Sequence, residues 1–273
     1  MPINEFNVSG AEFNVSGVEF NVDAFLPTDL GASLIAWYDA NDPSTVTESS
    51  GQVTDWADKG ANGYDLDMNN NTPEWGLGAQ INGRNVMHYE GTFDELYGTS
   101  GVNFDLTQFA MITVGQTQNT GDTPAYGAML STDEVDKIEF RAQRQTTQGR
   151  LTSALKIDGT SYTANTTSSP LMADLTPYLA TFWYDGFEMV QRVNGGAVTA
   201  TNASVPDGGT LTINRIQVGR ESNTPRNYQG ELIILNTATL ASVEKAEGFL
   251  AHKWFMTGLL PGGHPYKTAE PKT

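Results

Sequence analysis

The stretch Ala180-Thr181-Phe182-Trp183-Tyr184-Asp185-Gly186-Phe187-Glu188-Met189-Val190-Gln191-Arg192-Val193-Asn194-Gly195 decides the fold. Aromatic and β-branched residues dominate Ala180–Tyr184 and Phe187–Val193, and such side chains fit the pleated, half-buried surface of a strand. Asp185-Gly186 separates the two runs and Asn194-Gly195 closes the second. An Asp-Gly or Asn-Gly pair between strand-like runs is the strongest short-range hairpin signal, because these residues tolerate the positive φ that tight turns demand. The stretch therefore predicts two antiparallel strands and a turn into a third.

The same texture recurs outward in both directions. Ser33–Tyr38, Gln52–Trp56, Asn85–Tyr89, Ala110–Gln116 and Tyr126–Leu130 read as strands upstream or midway. Lys137–Ala142, Leu151–Ile157, Ile213–Val218 and Glu231–Asn236 extend the series, with further turns at Asn82-Gly83 and Asp158-Gly159. One stretch has helical spacing: Leu240, Val243, Ala246, Leu250 and Trp254, with Thr239 or Ser242 available as N-cap. Many short strands and one late helix predict an all-β fold, a two-sheet antiparallel jelly-roll sandwich with the C-terminal helix packed at its edge.

Composition agrees and narrows the function classes. The chain has 273 residues, within reach of a single sandwich domain, and its 12 Phe, 10 Tyr and 5 Trp supply a real core. Lys+Arg 15 against Asp+Glu 32 gives a net charge of −17, a field that repels nucleic-acid phosphates and anionic membrane surfaces. No apolar run is long enough to span a bilayer, so neither nucleic-acid binding nor membrane insertion is expected. The absence of Cys removes disulfides, thiolate catalysis and Cys-ligated metal sites. The opening Met1-Pro2-Ile3-Asn4-Glu5 lacks the basic and apolar regions of a secretory signal, so none is expected.

The N-terminus carries a repeat. Glu5-Phe6-Asn7-Val8-Ser9-Gly10, Glu12-Phe13-Asn14-Val15-Ser16-Gly17 and Glu19-Phe20-Asn21-Val22-Asp23 recur at a seven-residue step. Phe and Val alternate with polar residues inside each unit, which is strand periodicity, and Gly10 and Gly17 allow a bulge or turn between units. Each face is too short to bury itself and needs a neighbour, most simply the same arm of another subunit. Residues 1–26 are therefore expected to form an oligomerising or anchoring arm through Phe6, Val8, Phe13, Val15, Phe20 and Val22, and residues 27–273 the jelly-roll domain.

Several segments of the second unit carry a family resemblance. Ile35-Ala36-Trp37-Tyr38-Asp39-Ala40, Val53-Thr54-Asp55-Trp56-Ala57-Asp58-Lys59 and Asn82-Gly83-Arg84-Asn85-Val86 resemble the opening of laminin-G-like, concanavalin-A-like jelly-roll domains. Gln229-Gly230-Glu231-Leu232-Ile233 resembles their last strand. Phe249-Leu250-Ala251-His252-Lys253-Trp254 with Leu260-Pro261-Gly262-Gly263-His264-Pro265-Tyr266-Lys267 resembles the ending found in bacterial and phage members. Phe255 departs from the pattern, which has Gly after Lys-Trp. The resemblance implies a non-catalytic binding or surface domain of the kind carried on phage capsids, tails and fibres.

Four further chemical signals stand beside it. Glu134-Val135-Asp136-Lys137-Ile138-Glu139 resembles the Glu-x-Asp-x-x-Glu strand of laminarinase-like hydrolases, which share the sandwich. That resemblance implies Glu134 as nucleophile, Asp136 as its modulating partner and Glu139 as acid/base, two carboxylates about 5 Å apart. Lys137, at a normally apolar position, and the acidic turn Ser131-Thr132-Asp133-Glu134 argue for a solvated turn and no catalytic residue. Asp39, Asp42, Asp55, Asp58, Asn62 and Asp65 offer hard oxygen donors suited to Ca²⁺, but without EF-hand spacing; turn capping is the plainer role, and no metal site or cofactor is assigned. His88, His252 and His264 are scattered and read as structural. Trp75, after Thr72-Pro73-Glu74, is the candidate platform for a sugar ring.

The expected function is a non-enzymatic phage virion surface protein (capsid decoration, head fibre or tail component) with a glycan-binding jelly roll, located on the virion surface. Its expected partners are further copies of itself, a trimer being the simplest, capsid or tail proteins, and cell-surface glycans. A free carbohydrate-binding lectin module and a laminarinase-like hydrolase are the alternatives.

Overall fold

The computed structural model describes residues 13–15, 18–20, 24–68, 71–89, 94–98, 100–117, 124–131, 137–145, 148–165, 175–205, 209–219 and 227–273. The body is a two-sheet antiparallel sandwich with, among the described residues, one α-helix, Leu240–Lys253, near the C-terminus.

The back sheet is built around Asn227–Leu235. On one side it pairs with Phe109–Thr117, which leads through Tyr178–Tyr184 and Met189–Val193 to Val198–Asn202. On the other side its first residues pair with Arg84–Tyr89 and its last with Leu34–Asp39. The front sheet runs Thr160–Asn165, Gln148–Ile157, Lys137–Gln145, Pro124–Ser131, Arg215–Gly219, Glu95–Gly98, Leu66–Met68, Gln52–Trp56, Val46–Ser49. The turns fall where their chemistry requires: Asn82, Asp158 and Asn194 all take positive φ ahead of a positive-φ glycine. Phe187 lies in the Asp185-Gly186 turn, 61% exposed, and its strand starts at Met189.

Side-chain alternation assigns the faces. Tyr38, Trp56, Phe109, Met111, Phe182, Ile216, Leu232 and Ile234 point between the sheets and make the main core. A buried polar bridge crosses the same layer: Ser153 Oγ donates to Gln191 Oε1 at 2.7 Å, and Gln191 Nε2 donates to the Leu151 carbonyl.

The helix lies elsewhere than expected. It covers the outer face of the back sheet rather than its edge: Val243, Ala246, Leu250 and Trp254 share a second core with Ala110, Ile112, Ile233 and Leu235. The apolar run Leu232-Ile233-Ile234-Leu235 carries the reason, since a strand with no polar alternation is buried on both faces. Thr239 caps the helix by accepting the Ser242 N–H.

A buried carboxylate clamps this layer. Glu231, fully buried, accepts Trp37 Nε1–H and Trp254 Nε1–H at 2.6 Å each and pairs with Lys253 at 2.8 Å. A second one, Glu247, takes Thr181 Oγ–H at 2.6 Å, pairs with Arg192 and faces His264 Nε2 at 3.3 Å. His264 Nδ1 accepts the Tyr266 N–H, which leaves its ring proton on Nε2 toward Glu247. The C-terminal Gly-Gly-His-Pro-Tyr segment is thus a latch over the helix.

Near the N-terminus, Phe13–Val15 pairs antiparallel with Val18–Phe20, setting Phe13 opposite Phe20. Of Phe13, Val15 and Phe20 only this backbone pairing is described; Phe6, Val8 and Val22 lie outside the described residues. Ala24–Leu26, counted with the arm on sequence, are joined to the body. Ala24 bridges Lys272, the Phe25 N–H donates to the Pro271 carbonyl, and the buried Phe25 ring meets Phe249 edge-on at 6.2 Å. Phe25 finds there the apolar neighbour it needs, so the body begins before Pro27.

Candidate functional site

The outward face of the front sheet gathers an unbroken cross-strand row. Asp55 lies opposite Asp67, Asp67 opposite Tyr97, and Tyr97 opposite Gln217. Gln217 lies opposite Met129, Met129 opposite Glu139, Glu139 opposite Ala154, and Ala154 opposite Thr163. The next register row holds Arg215, Ser131, Lys137, Lys156 and Ser161. Period-two alternation produces this arrangement, because Leu96, Ile138, Phe140, Ile216 and Val218 fill the main core and their neighbours must point away from it.

Three features separate this face from an ordinary solvated sheet. First, three of its polar groups are buried: Gln217 is 3% exposed, Glu95 4% and Glu139 5%. Second, they are fixed in pairs, Gln217 Nε2 donating to Glu95 Oε2 at 2.6 Å and Lys137 pairing with Glu139. Third, the Arg215 guanidinium lies 5.6 Å from the Tyr97 ring centroid, and its Nε is buried with no hydrogen-bond partner among the described residues. At the end of the row burial, then the charges of Asp65 and Asp67, pushes Asp55 up to about 6. A held amide, paired carboxylates and an aromatic ring suit ligands that present hydroxyl groups beside an apolar ring face.

A cavity of about 180 Å³ opens elsewhere, between Ile35, Asn62, Tyr64, Phe104, Asp105 and Asn236. Its polar atoms already serve the fold: Asn62 and Asn236 donate to the carbonyls of Ile35 and Ala32, and Asp105 accepts the Thr212 hydroxyl. The sheet face is the stronger candidate.

The residues singled out on sequence are dispersed. Trp75 is half-buried against the main core and donates its Nε1–H to the Ala40 carbonyl at 2.7 Å. Glu134 and Asp136 lie outside the described residues, while Glu139 lies in the row. Of the acidic donors, Asp39 and Asp42 pair with Lys59, and Asp58 accepts the N–H groups of Trp37, Gly60 and Tyr64. Among the described residues no group of three or more His, Asp or Glu is arranged to hold a metal ion. Tyr97, Arg215, Glu95 and Gln217 were not singled out.

The fold is a two-sheet antiparallel β-sandwich of the jelly-roll class. No family model and no curated protein matches the chain. Among solved structures it is similar to the binding domain of botulinum neurotoxin DC in complex with SialylT, with TM-score 0.55 and 10% identity over 79% of this chain and 51% of that one. The botulinum neurotoxin serotype C1 binding domain gives TM-score 0.51 and 13% identity over 81% of this chain and 52% of that one. Trypanosoma rangeli sialidase gives TM-score 0.52 and 14% identity over 81% of this chain and 33% of that one. The chain thus spans about half the length of the toxin domains and about a third of the sialidase. At these identities the likeness is one of fold.

Proposed function

We propose that this chain is a non-enzymatic carbohydrate-binding module that seats a glycan on the outward face of its front sheet. The observation that carries the reading is the row in which Tyr97, stacked by Arg215, adjoins the Gln217–Glu95 pair. A sugar's apolar ring face packs on the part-exposed Tyr97 ring, while its hydroxyls bond to the part-exposed Arg215 and Lys137 that border the buried Gln217–Glu95 pair. Fold neighbours that include a toxin binding domain in complex with SialylT and a sialidase lend support. The Lys137–Glu139 ion pair favours binding over hydrolysis, since a general acid must hold a proton that an adjacent ammonium disfavours.

The finer reading is that the module sits on a virion surface, as a capsid decoration, head fibre or tail component. Its support is the N-terminal repeat and the resemblance to phage jelly rolls. The test for glycan binding is a glycan array with the wild type and with Tyr97→Ala and Arg215→Gln. Wild-type binding that falls at least about tenfold in both variants is expected; no binding to any glycan refutes the proposal. Release of reducing sugar that stops in Glu139→Gln contradicts its non-enzymatic part.

A further inference from the structure

The Glu-Phe-Asn-Val repeat has no role in the front-sheet site, and the exit of the C-terminal helix offers it one. After Trp254 the chain turns through Phe255 at φ 56°, a left-handed conformation that favours glycine. Phe255 is 69% exposed, so burial does not offset the strain. Its described ring contact is with Arg84, whose guanidinium carbon lies 4.8 Å from the ring centroid. Among the described residues Arg84 has no ion pair, and its Nε is buried without a hydrogen-bond partner. In a chain with 32 acids and 15 Lys and Arg, a guanidinium without an ion pair to any described carboxylate is a binding group in waiting.

The two side chains are held in place. Asn82, itself at φ 50°, donates its Nδ2–H to the Trp254 carbonyl at 2.8 Å and ties the Asn82-Gly83 turn to the helix exit. The Asn85 N–H donates to Asn41 Oδ1 at 3.2 Å, which fixes the strand that follows Arg84.

We propose that Arg84 and Phe255 form a socket for the Glu-Phe step of the N-terminal repeat of a second copy of this chain. The Glu5, Glu12 or Glu19 carboxylate pairs with the guanidinium, and the adjoining Phe6, Phe13 or Phe20 ring packs against Phe255. Charge complementarity argues for this occupant, because residues 1–26 hold Glu5, Glu12, Glu19 and Asp23 and no Lys or Arg. Number argues for a second copy. The arm carries three Glu-Phe steps against one such socket per chain, so a single arm can seat steps in more than one copy. Reach permits it, since the 23 residues before Ala24 extend to roughly 76 Å at about 3.3 Å each once the Phe13–Phe20 pairing opens. The proposal is independent of the glycan reading.

The test is sedimentation velocity of the full chain over a range of concentrations. The variants are Phe255→Gly, Arg84→Gln and the triple Glu5→Gln/Glu12→Gln/Glu19→Gln. Phe255→Gly relieves the left-handed backbone, so its melting temperature should match or exceed the wild type's and lost assembly cannot be put down to unfolding. The wild type is expected to associate, each variant to need at least about tenfold more protein for half-assembly, and a synthetic peptide of residues 12–22 to compete. Unchanged assembly in Phe255→Gly and Arg84→Gln overturns the proposal, as does a wild type that stays monomeric. A monomer that binds glucuronic acid through Phe255 also overturns it and assigns the socket to an acidic sugar.

Discussion

Trp254→Phe measures how firmly the helix is clamped to the back sheet. The indole is fully buried and its Nε1–H is one of the donors to Glu231, alongside Trp37 Nε1–H and Lys253. It lies so close to the last strand that a Cβ on Gly230 would come within 2.5 Å of it. Removing the N–H withdraws a hydrogen bond to a buried charged group, about 1.5–3 kcal/mol. The smaller ring also leaves space in a close-packed layer, adding ~1–2 kcal/mol. The expected loss is therefore ~2.5–5 kcal/mol, or a fall in Tm of roughly 5–20 °C for a chain of this size. Urea unfolding followed by far-UV circular dichroism reads it without depending on the remaining tryptophans. Glu231→Gln in the Trp254→Phe background should recover part of the loss, because the site then no longer buries a charge short of a donor. A loss below about 1 kcal/mol, or strictly additive variants, refutes the clamp.

Three further outcomes follow from other groups. Asp55 is raised to about 6 by burial and by Asp65 and Asp67, so the folded chain holds this proton more tightly than the unfolded one. Its contribution to stability therefore falls as pH rises from about 4 to about 6; Asp55→Asn should flatten that descent, and an unchanged urea-midpoint profile contradicts it. Burial works to raise Glu247, but His264, Arg192 and Thr181 outweigh it and hold the carboxyl below its ordinary value. That stability is present above the ordinary carboxylate pKa and lost in acid, and Glu247→Gln should cost about 3 kcal/mol at pH 7 by stranding buried Arg192; a neutral effect in thermal unfolding contradicts it. Trp75→Ala should cost about 2–4 kcal/mol through lost packing and the Ala40 hydrogen bond, whereas Trp75→Phe should leave glycan affinity unchanged; lost affinity in Trp75→Phe would make that ring a sugar platform.

The sequence made the core legible and the site obscure, for physical reasons. Strands such as Tyr178–Tyr184 and Asn227–Leu235 carry large apolar side chains, and Asn-Gly and Asp-Gly steps mark their turns. Val46–Ser49, Leu66–Met68, Glu95–Gly98 and Thr160–Asn165 were missed, being short and polar on the outward face, so periodicity had little to count. The Gln217–Glu95 pair spans 122 residues and exists only through front-sheet pairing. The available hint was the alternation in Arg215-Ile216-Gln217-Val218, which leaves an arginine and an amide on one face. The aspartates grouped as calcium donors are near one another, but Asp58 and Asp42 cap turns by accepting backbone N–H groups, as their position after strands suggests. Phe255, noted as a departure from a glycine position, was the visible sign of the strained helix exit.

The most direct measurement of the central claim is a two-dimensional amide NMR titration with the best-bound glycan from the array. The account predicts that the largest shifts fall on Glu95–Gly98 and Arg215–Gly219, centred on Tyr97 and Gln217. Shifts confined to the helix and its exit, or to the Ile35–Tyr64–Phe104 cavity, would contradict it.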